Sequence, residues 1–315
     1  MAPRSLGLGA GQLNTIATTA IASTLLSGSI AVFNLANNLS SILVNAVAVS
    51  VSTASFPAMS MAFLKEEANG YSGEFLKKFS SIFRQIIFLV VPLSLLILIL
   101  RAQIVRVILG VGRFDWLDTK LTTACLGILA LNLIAQALIL FLSKTFYAAH
   151  NTKIPAVISR ATVAFNIMLS LLLVWLVSFF PGFNLFLQNL LRLGGVANIG
   201  VIALALAYTT TAVLECVLLL YMFYKKFPSL ETKQIYDSLY KIVIASLIMF
   251  VLTFVVRQFL WSIVSLQTFW GVFLQLITSG VVGVATYAVI THLLKSPESK
   301  TIVDSFLKKF LYPVK

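Results

Sequence analysis

The sequence predicts an all-α polytopic membrane protein: a bundle of about eight transmembrane helices, short loops and an amphipathic C-terminal helix. Three observations predict it. Of 315 residues, 59% are hydrophobic and 10% are charged, where a soluble domain has about 25% charged residues. The mean hydropathy is +0.99. Apolar runs of the length a bilayer demands, about 20 residues each, recur between short polar interruptions.

In order, the spans fall at roughly 9–32, 34–61, 80–109, 117–146, 154–180, 196–224, 239–261 and 266–294. The second is followed by the polar loop KEEANGYSGEFLKK. The third ends in GVGRFDWLDTK, where Asp118 is placed to cap the next helix. The fourth ends in SKTFYAAHNTKIP, and Pro155 opens the fifth, because proline fits the first helical turn. PGFNLFLQNLLRLGG joins the fifth and sixth, and YKKFPSLETKQIYDSLYK joins the sixth and seventh. Beyond Lys300, Ile302, Phe306 and Phe310 recur every four residues, as do Val303, Leu307 and Leu311, with Lys308 and Lys309 off that face. Such a segment is too short and charged to span, and it reads as a basic amphipathic helix on the inner leaflet.

Charge sorts the loops. Seventeen of the 23 basic residues fall at one end of the spans; the other six are Arg101, Arg106, Arg113, Lys120, Arg192 and Arg257. Basic loops stay in the cytoplasm, so both termini are expected there, which agrees with an even number of spans. The net charge of +13 then reflects basic loops beside anionic lipid rather than a nucleic-acid partner.

Signatures of enzymes are missing: no GxSxG, P-loop or HExxH, and no paired carboxylates on one helix face. Cys125 and Cys216 sit inside apolar runs and read as buried thiols; His150 and His292 stand apart, so no metal cluster is expected. No cofactor is implied by these residues.

One span stands out. On a helix, Asn34, Asn38, Ser41, Asn45, Ser52 and Ser55 fall within roughly 60° of one line, with Ala48 in the same stripe and Leu, Ile, Val and Phe opposite. Amides in hydrocarbon are costly without a partner. The stripe therefore lines an aqueous cavity or forms a helix–helix seam, two readings the helix alone leaves open. Glu215 is the acidic residue deepest in a span, and an intramembrane acid is a functional candidate by default. It reads as a protonated acid in a helix seam, as a group near enough to the cytoplasmic end to reach water, or as a proton-coupling group.

Several phrases carry a resemblance. GQLN followed by TAIAST, then SVSTASFPAMS, GRFDWLDT and SKTFYAAHNTKIP, in that order and spacing, resemble the MviN/MurJ family of lipid II flippases. That family lies within the multidrug/oligosaccharidyl-lipid/polysaccharide exporter superfamily. The resemblance covers nearly the whole chain and weakens after about residue 230. Family members have two six-helix lobes and two further helices. The resemblance implies that 1–230 is the second lobe, 231–295 the two added helices and 296–315 a cytoplasmic basic tail.

It further implies a multi-pass protein of the bacterial inner membrane. The protein would move an undecaprenyl-pyrophosphate-linked precursor from inner to outer leaflet by alternating access, for cell-wall synthesis and without hydrolysing a nucleotide. Its partners would be the lipid-linked precursor, membrane lipids, and a first six-helix lobe or a second copy. The second-lobe gate helix matches 34–61, and the family's charged cavity positions fall on Asn38 and Ser41. A sodium site found in some members matches Thr18, Asn166, Ser170 and Thr209, with hydroxyls at Thr18 and Ser170 where the family has carboxylates. Sodium or the membrane potential would drive the cycle. A flippase for polysaccharide lipids, a drug exporter, or a non-transporting scaffold are the competing functions.

Overall fold

The computed structural model describes residues 2–69, 73–110, 116–194, 196, 199–230, 232–263 and 268–299. All regular structure among them is helical: α1 (Ala2–Ser23), α2 (Ser29–Val44), a π-helical turn (Asn45–Val49), α3 (Ser50–Asn69), α4 (Glu74–Leu109), α5 (Trp116–Ala148), α6 (Lys153–Phe179), α7 (Pro181–Leu191), α8 (Gly200–Lys226), α9 (Thr232–Ile263) and α10 (Phe269–Leu293). Among the described residues, seven helices are long and apolar enough to cross a membrane, with α2, the π turn and most of α3 joined as one span, Ser29–Glu67. The eighth expected span is α1. Its 22 residues have the length of a crossing, but Gln12, Asn14, Thr15, Thr18 and Thr19 dilute its apolar character.

The first boundary differs from the expected 9–32. α1 stops at Ser23, where the hydroxyls of Ser23 and Thr24 donate back to the carbonyls of Ala20 and Ile21 at 2.7 Å each. The chain turns at Gly28 (φ 92°), a backbone conformation that glycine adopts without strain. Asp118 lies inside the first turn of α5, not at its cap. The linker PGFNLFLQNLLRLGG holds a helix of its own, α7, which Pro181 opens at its first turn. Its amides point inward: Asn184 Nδ2 donates to the Val177 carbonyl at 3.1 Å and Gln188 Nε2 to the Val196 carbonyl at 3.1 Å. Its apolar side chains Leu185, Phe186 and Leu190 are exposed, as an interfacial helix requires. The basic tail beyond Lys300 lies outside the described residues.

α5 is the centre of the bundle. It packs against α4, α8 and α2, and Cys125, Leu126, Leu129, Ala130, Ala137, Leu142 and Phe146 on it are fully buried. α6 closes on α8, and α1 on α6. At the end where α4 begins and α8 finishes, Phe79, Phe141, Phe146, Phe223 and Phe227 form a ring cluster; Phe79 and Phe223 stack at 4.1 Å between centroids. There Glu66 Oε1 accepts from the backbone N–H of Phe75 at 2.9 Å, satisfying a donor that the first turn of α4 leaves open. α9 and α10 pack on each other and on α4. Tyr287 donates to the Phe88 carbonyl at 2.8 Å, and an ion pair, Arg84 with Glu298 at 2.9 Å, ties the segment after α10 back to α4.

Candidate functional site

The polar stripe divides in two. Asn38 and Asn45 are exposed, Asn34 and Ser41 half-buried, and the opposite side of α2, carrying Val32, Phe33, Ala36 and Ser40, is buried against the bundle. The stripe up to Asn45 therefore faces away from its own bundle. Ser52 does not share that face: it is 1% exposed, and its hydroxyl has no hydrogen-bond partner among the described residues. The cause is the π turn at Asn45–Val49. A π turn carries one extra residue, which rotates everything after it by about the 100° that one residue occupies. Ala48 and Ser52 swing into the bundle, and Ser55 is half-buried with its hydroxyl spent on the Val51 carbonyl at 2.8 Å. Expecting Ser52 in the cavity stripe assumed unbroken α-helical phase, and the π turn corrects it. π turns of this kind occur preferentially at functional positions in helices.

The second polar cluster lies between α1, α6 and α8. Asn166 on α6 is 1% exposed. Its Nδ2 donates to Asn14 Oδ1 of α1, and its Oδ1 accepts from Ser170 Oγ and from Thr211 Oγ1 of α8, each at 3.5 Å. Thr18 is buried one helical turn from Asn14. Four residues back along α6 and four on along α8, Thr162 Oγ1 donates to Glu215 Oε2 at 3.1 Å. The two helices thus run antiparallel with polar rungs one turn apart. Thr209 is not in the cluster; two residues from Thr211, it faces α5 and donates to the Ile128 carbonyl at 3.4 Å. Asn14 and Thr211 take part where the sequence comparison had suggested Thr209. The four-residue spacing of Asn14 and Thr18, and of Thr211 and Glu215, was the available signal.

These residues do not fit a sodium site. The cluster around Asn166 has only neutral groups, and its two amide oxygens already accept hydrogen bonds, Asn14 Oδ1 from Asn166 and Asn166 Oδ1 from Ser170 and Thr211. Charge on the ligands is what gives an oxygen site useful affinity. Among the described residues, no group of three His, Cys, Asp or Glu could hold a metal. Glu215 lies 11 residues from the end of α8 at Lys226, roughly 16 Å along the axis. It is half-buried and takes hydrogen bonds from Thr162 and Ser159, which sets it in the contact between α6 and α8.

The described residues form a multi-pass helical bundle in which one spanning helix offers amides away from the bundle. The family model described as "Lipid II flippase MurJ" matches residues 1–278, and the chain belongs to the MurJ lipid II flippase family, which consists of transporters and not enzymes. It is 27% identical over 295 residues to the probable lipid II flippase MurJ of Buchnera aphidicola subsp. Acyrthosiphon pisum, covering 93% of this chain and 52% of that protein. It is 31% identical over 177 residues to the probable lipid II flippase MurJ of Rhizobium tropici, covering 54% and 31%. A solved structure titled "Lipid II flippase MurJ, inward closed conformation" shares the fold, with a TM-score of 0.67 at 21% identity over 91% of this chain and 52% of that one. The chain spans about half the length of these two fuller matches.

Proposed function

We propose that this chain forms the second-lobe half of a lipid II flippase, in which residues 1–230 are the lobe and α9 and α10 are additions to it. The face carrying Asn34, Asn38, Ser41 and Asn45 is one wall of the substrate path. The carrying observation is that this face points away from its own bundle on a membrane-spanning helix, in a chain of the MurJ family. Amides exposed at that depth call for water, substrate or a second protein surface, because hydrocarbon offers them no partner. Asn38 and Asn45 donate neutral hydrogen bonds, which suits orienting a pyrophosphate or sugar without holding it tightly.

Alternating access needs two bundles rocking about a site between them. The partner across the wall is a first six-helix lobe, in the same or a separate polypeptide, or a second copy of this chain. Lipid II would move from the inner to the outer leaflet of the bacterial inner membrane, with both termini of this chain in the cytoplasm. The test is reconstitution in liposomes with fluorescent lipid II, with and without a co-expressed first lobe. The proposal expects flipping only when two lobes are present, and Asn38→Leu with Asn45→Leu should abolish it. Flipping by a verified monomer of this chain would overturn it. Transport of a polysaccharide lipid or drug in place of lipid II would favour another branch of the superfamily, and no transport by the two-lobe assembly would leave a scaffold.

A further inference from the structure

A charged feature lies away from the polar wall, where α4 passes between α5 and α9. α5 and α9 each pack on α4 and little on each other, so α4 is the floor of the space between them. Arg101 rises from that floor and Arg257 from the α9 side. Both are half-buried. Arg101 lies against Gly127 of α5: a β-carbon there would stand 2.1 Å from its Nη1 and 3.1 Å from its Cζ. The missing side chain at Gly127 is what admits the guanidinium. Arg257 Nη1 donates to the Ile99 carbonyl of α4 at 2.8 Å, and its guanidinium lies 5.0 Å from the Phe254 ring.

A ring of hydrogen bonds holds Arg257 in place. Gln275 Nε2 of α10 donates to its backbone carbonyl at 2.8 Å, and Gln103 Nε2 of α4 donates to Gln275 Oε1 at 3.0 Å. The Ile99 carbonyl that Arg257 reaches lies two residues before Arg101 on α4, which sets both arginines at one level of the bundle. Among the described residues neither forms an ion pair with a carboxylate. Arg101 lies eight residues before the end of α4 and Arg257 six before the end of α9, roughly 12 and 9 Å inward along the axes.

Arginine stays charged at any relevant pH and presents a fork of N–H donors matched to phosphate. Two such forks, carried on α4 and α9 and one of them fixed by three helices, keep N–H donors beyond the Ile99 carbonyl to offer an anion. We propose that Arg101 and Arg257 bind the phosphate of an anionic membrane phospholipid lodged in the α4–α5–α9 groove. The lipid would serve as a structural ligand joining α9 to the lobe. The proposal stands independently of what the protein transports.

The test uses the purified full chain in neutral detergent, with native mass spectrometry and thermal unfolding. The probes are phosphatidylglycerol, phosphatidylcholine and inorganic pyrophosphate. The wild type should retain phosphatidylglycerol over phosphatidylcholine. Arg101→Gln with Arg257→Gln should weaken that retention at least about tenfold, as loss of charge-assisted hydrogen bonds predicts. Gly127→Ala, which keeps both charges but displaces the Arg101 guanidinium, should weaken it too, while Arg160→Gln should not. Equal retention by the double variant and the wild type would overturn the proposal. So would no preference over phosphatidylcholine, which means that the arginines only snorkel to water. An Arg101-dependent stabilisation by pyrophosphate without lipid retention would assign the pair to a free anion and overturn the lipid form.

Discussion

The α2 wall and the α1–α6–α8 seam are built from the same residue types and differ in where they spend their hydrogen bonds. In the seam, Asn14, Asn166, Ser170 and Thr211 satisfy one another, as do Thr162 and Glu215. On the wall, Asn38 and Asn45 stand exposed, while the side of α2 that meets the bundle carries Val32, Phe33 and Ala36. Composition cannot separate these two uses of asparagine, since both are polar residues at helical spacing in an apolar run. Saturation by neighbours separates them: the seam residues are paired within the bundle, while the exposed amides of α2 are the ones the proposed function uses.

The largest stability effect is therefore expected in the seam. Asn166→Leu removes three side-chain hydrogen bonds and should cost about 2 kcal/mol, at about 0.6 kcal/mol for each such bond in a membrane. Thr162→Val leaves Glu215 short of a donor and should cost about 1 kcal/mol. Unfolding in mixed detergent micelles measures both. Asn38→Leu should cost nothing in the same assay while abolishing transport by the two-lobe assembly; a cost matching that of Asn166→Leu would erase the distinction between the regions.

Deleting Ala46 sharpens the comparison further. It removes the extra residue of the π turn, so a regular α-helix can join α2 to α3 with both flanks in place. The thermal midpoint should hold or rise, because Ala48 and Ser52 keep their places in the bundle. A fall of the midpoint would mean that Ala48 and Ser52 had been rotated out of the bundle. The smallest effect belongs to Ser52→Ala, expected within about 0.5 kcal/mol of neutral, since the buried hydroxyl has no partner to lose.

The spans were legible because hydropathy over 20 or more residues is a strong signal, and α4, α5, α6, α8, α9 and α10 all fall on expected runs. The stripe was legible as far as Asn45 because α-helical phase holds to that point. Ser52 was misplaced because a single-residue insertion leaves no trace in composition, yet it turns the downstream face by about 100°. α7 was read as a linker because 11 residues cannot span a bilayer and its amides resemble loop polarity. Thr209 and Thr211 could not be told apart without knowing which face of α8 meets α6. The Arg101–Arg257 pair was invisible as a pair: it joins residues far apart in sequence, and the space for Arg101 depends on Gly127 of a third helix.

The central claim is that α2 offers a one-sided aqueous wall that ends at the π turn. Site-directed thiol labelling tests it most directly, in membranes containing the two-lobe assembly and in a background of Cys125→Ser and Cys216→Ser. Asn34→Cys, Asn38→Cys, Ser41→Cys and Asn45→Cys should react with a small water-soluble thiol reagent, whereas Ala36→Cys, Ala48→Cys and Ser52→Cys should stay unreactive. Equal labelling at Ser52 and Asn38, or protection of Asn38 and Asn45 alongside Ala36, would contradict the account.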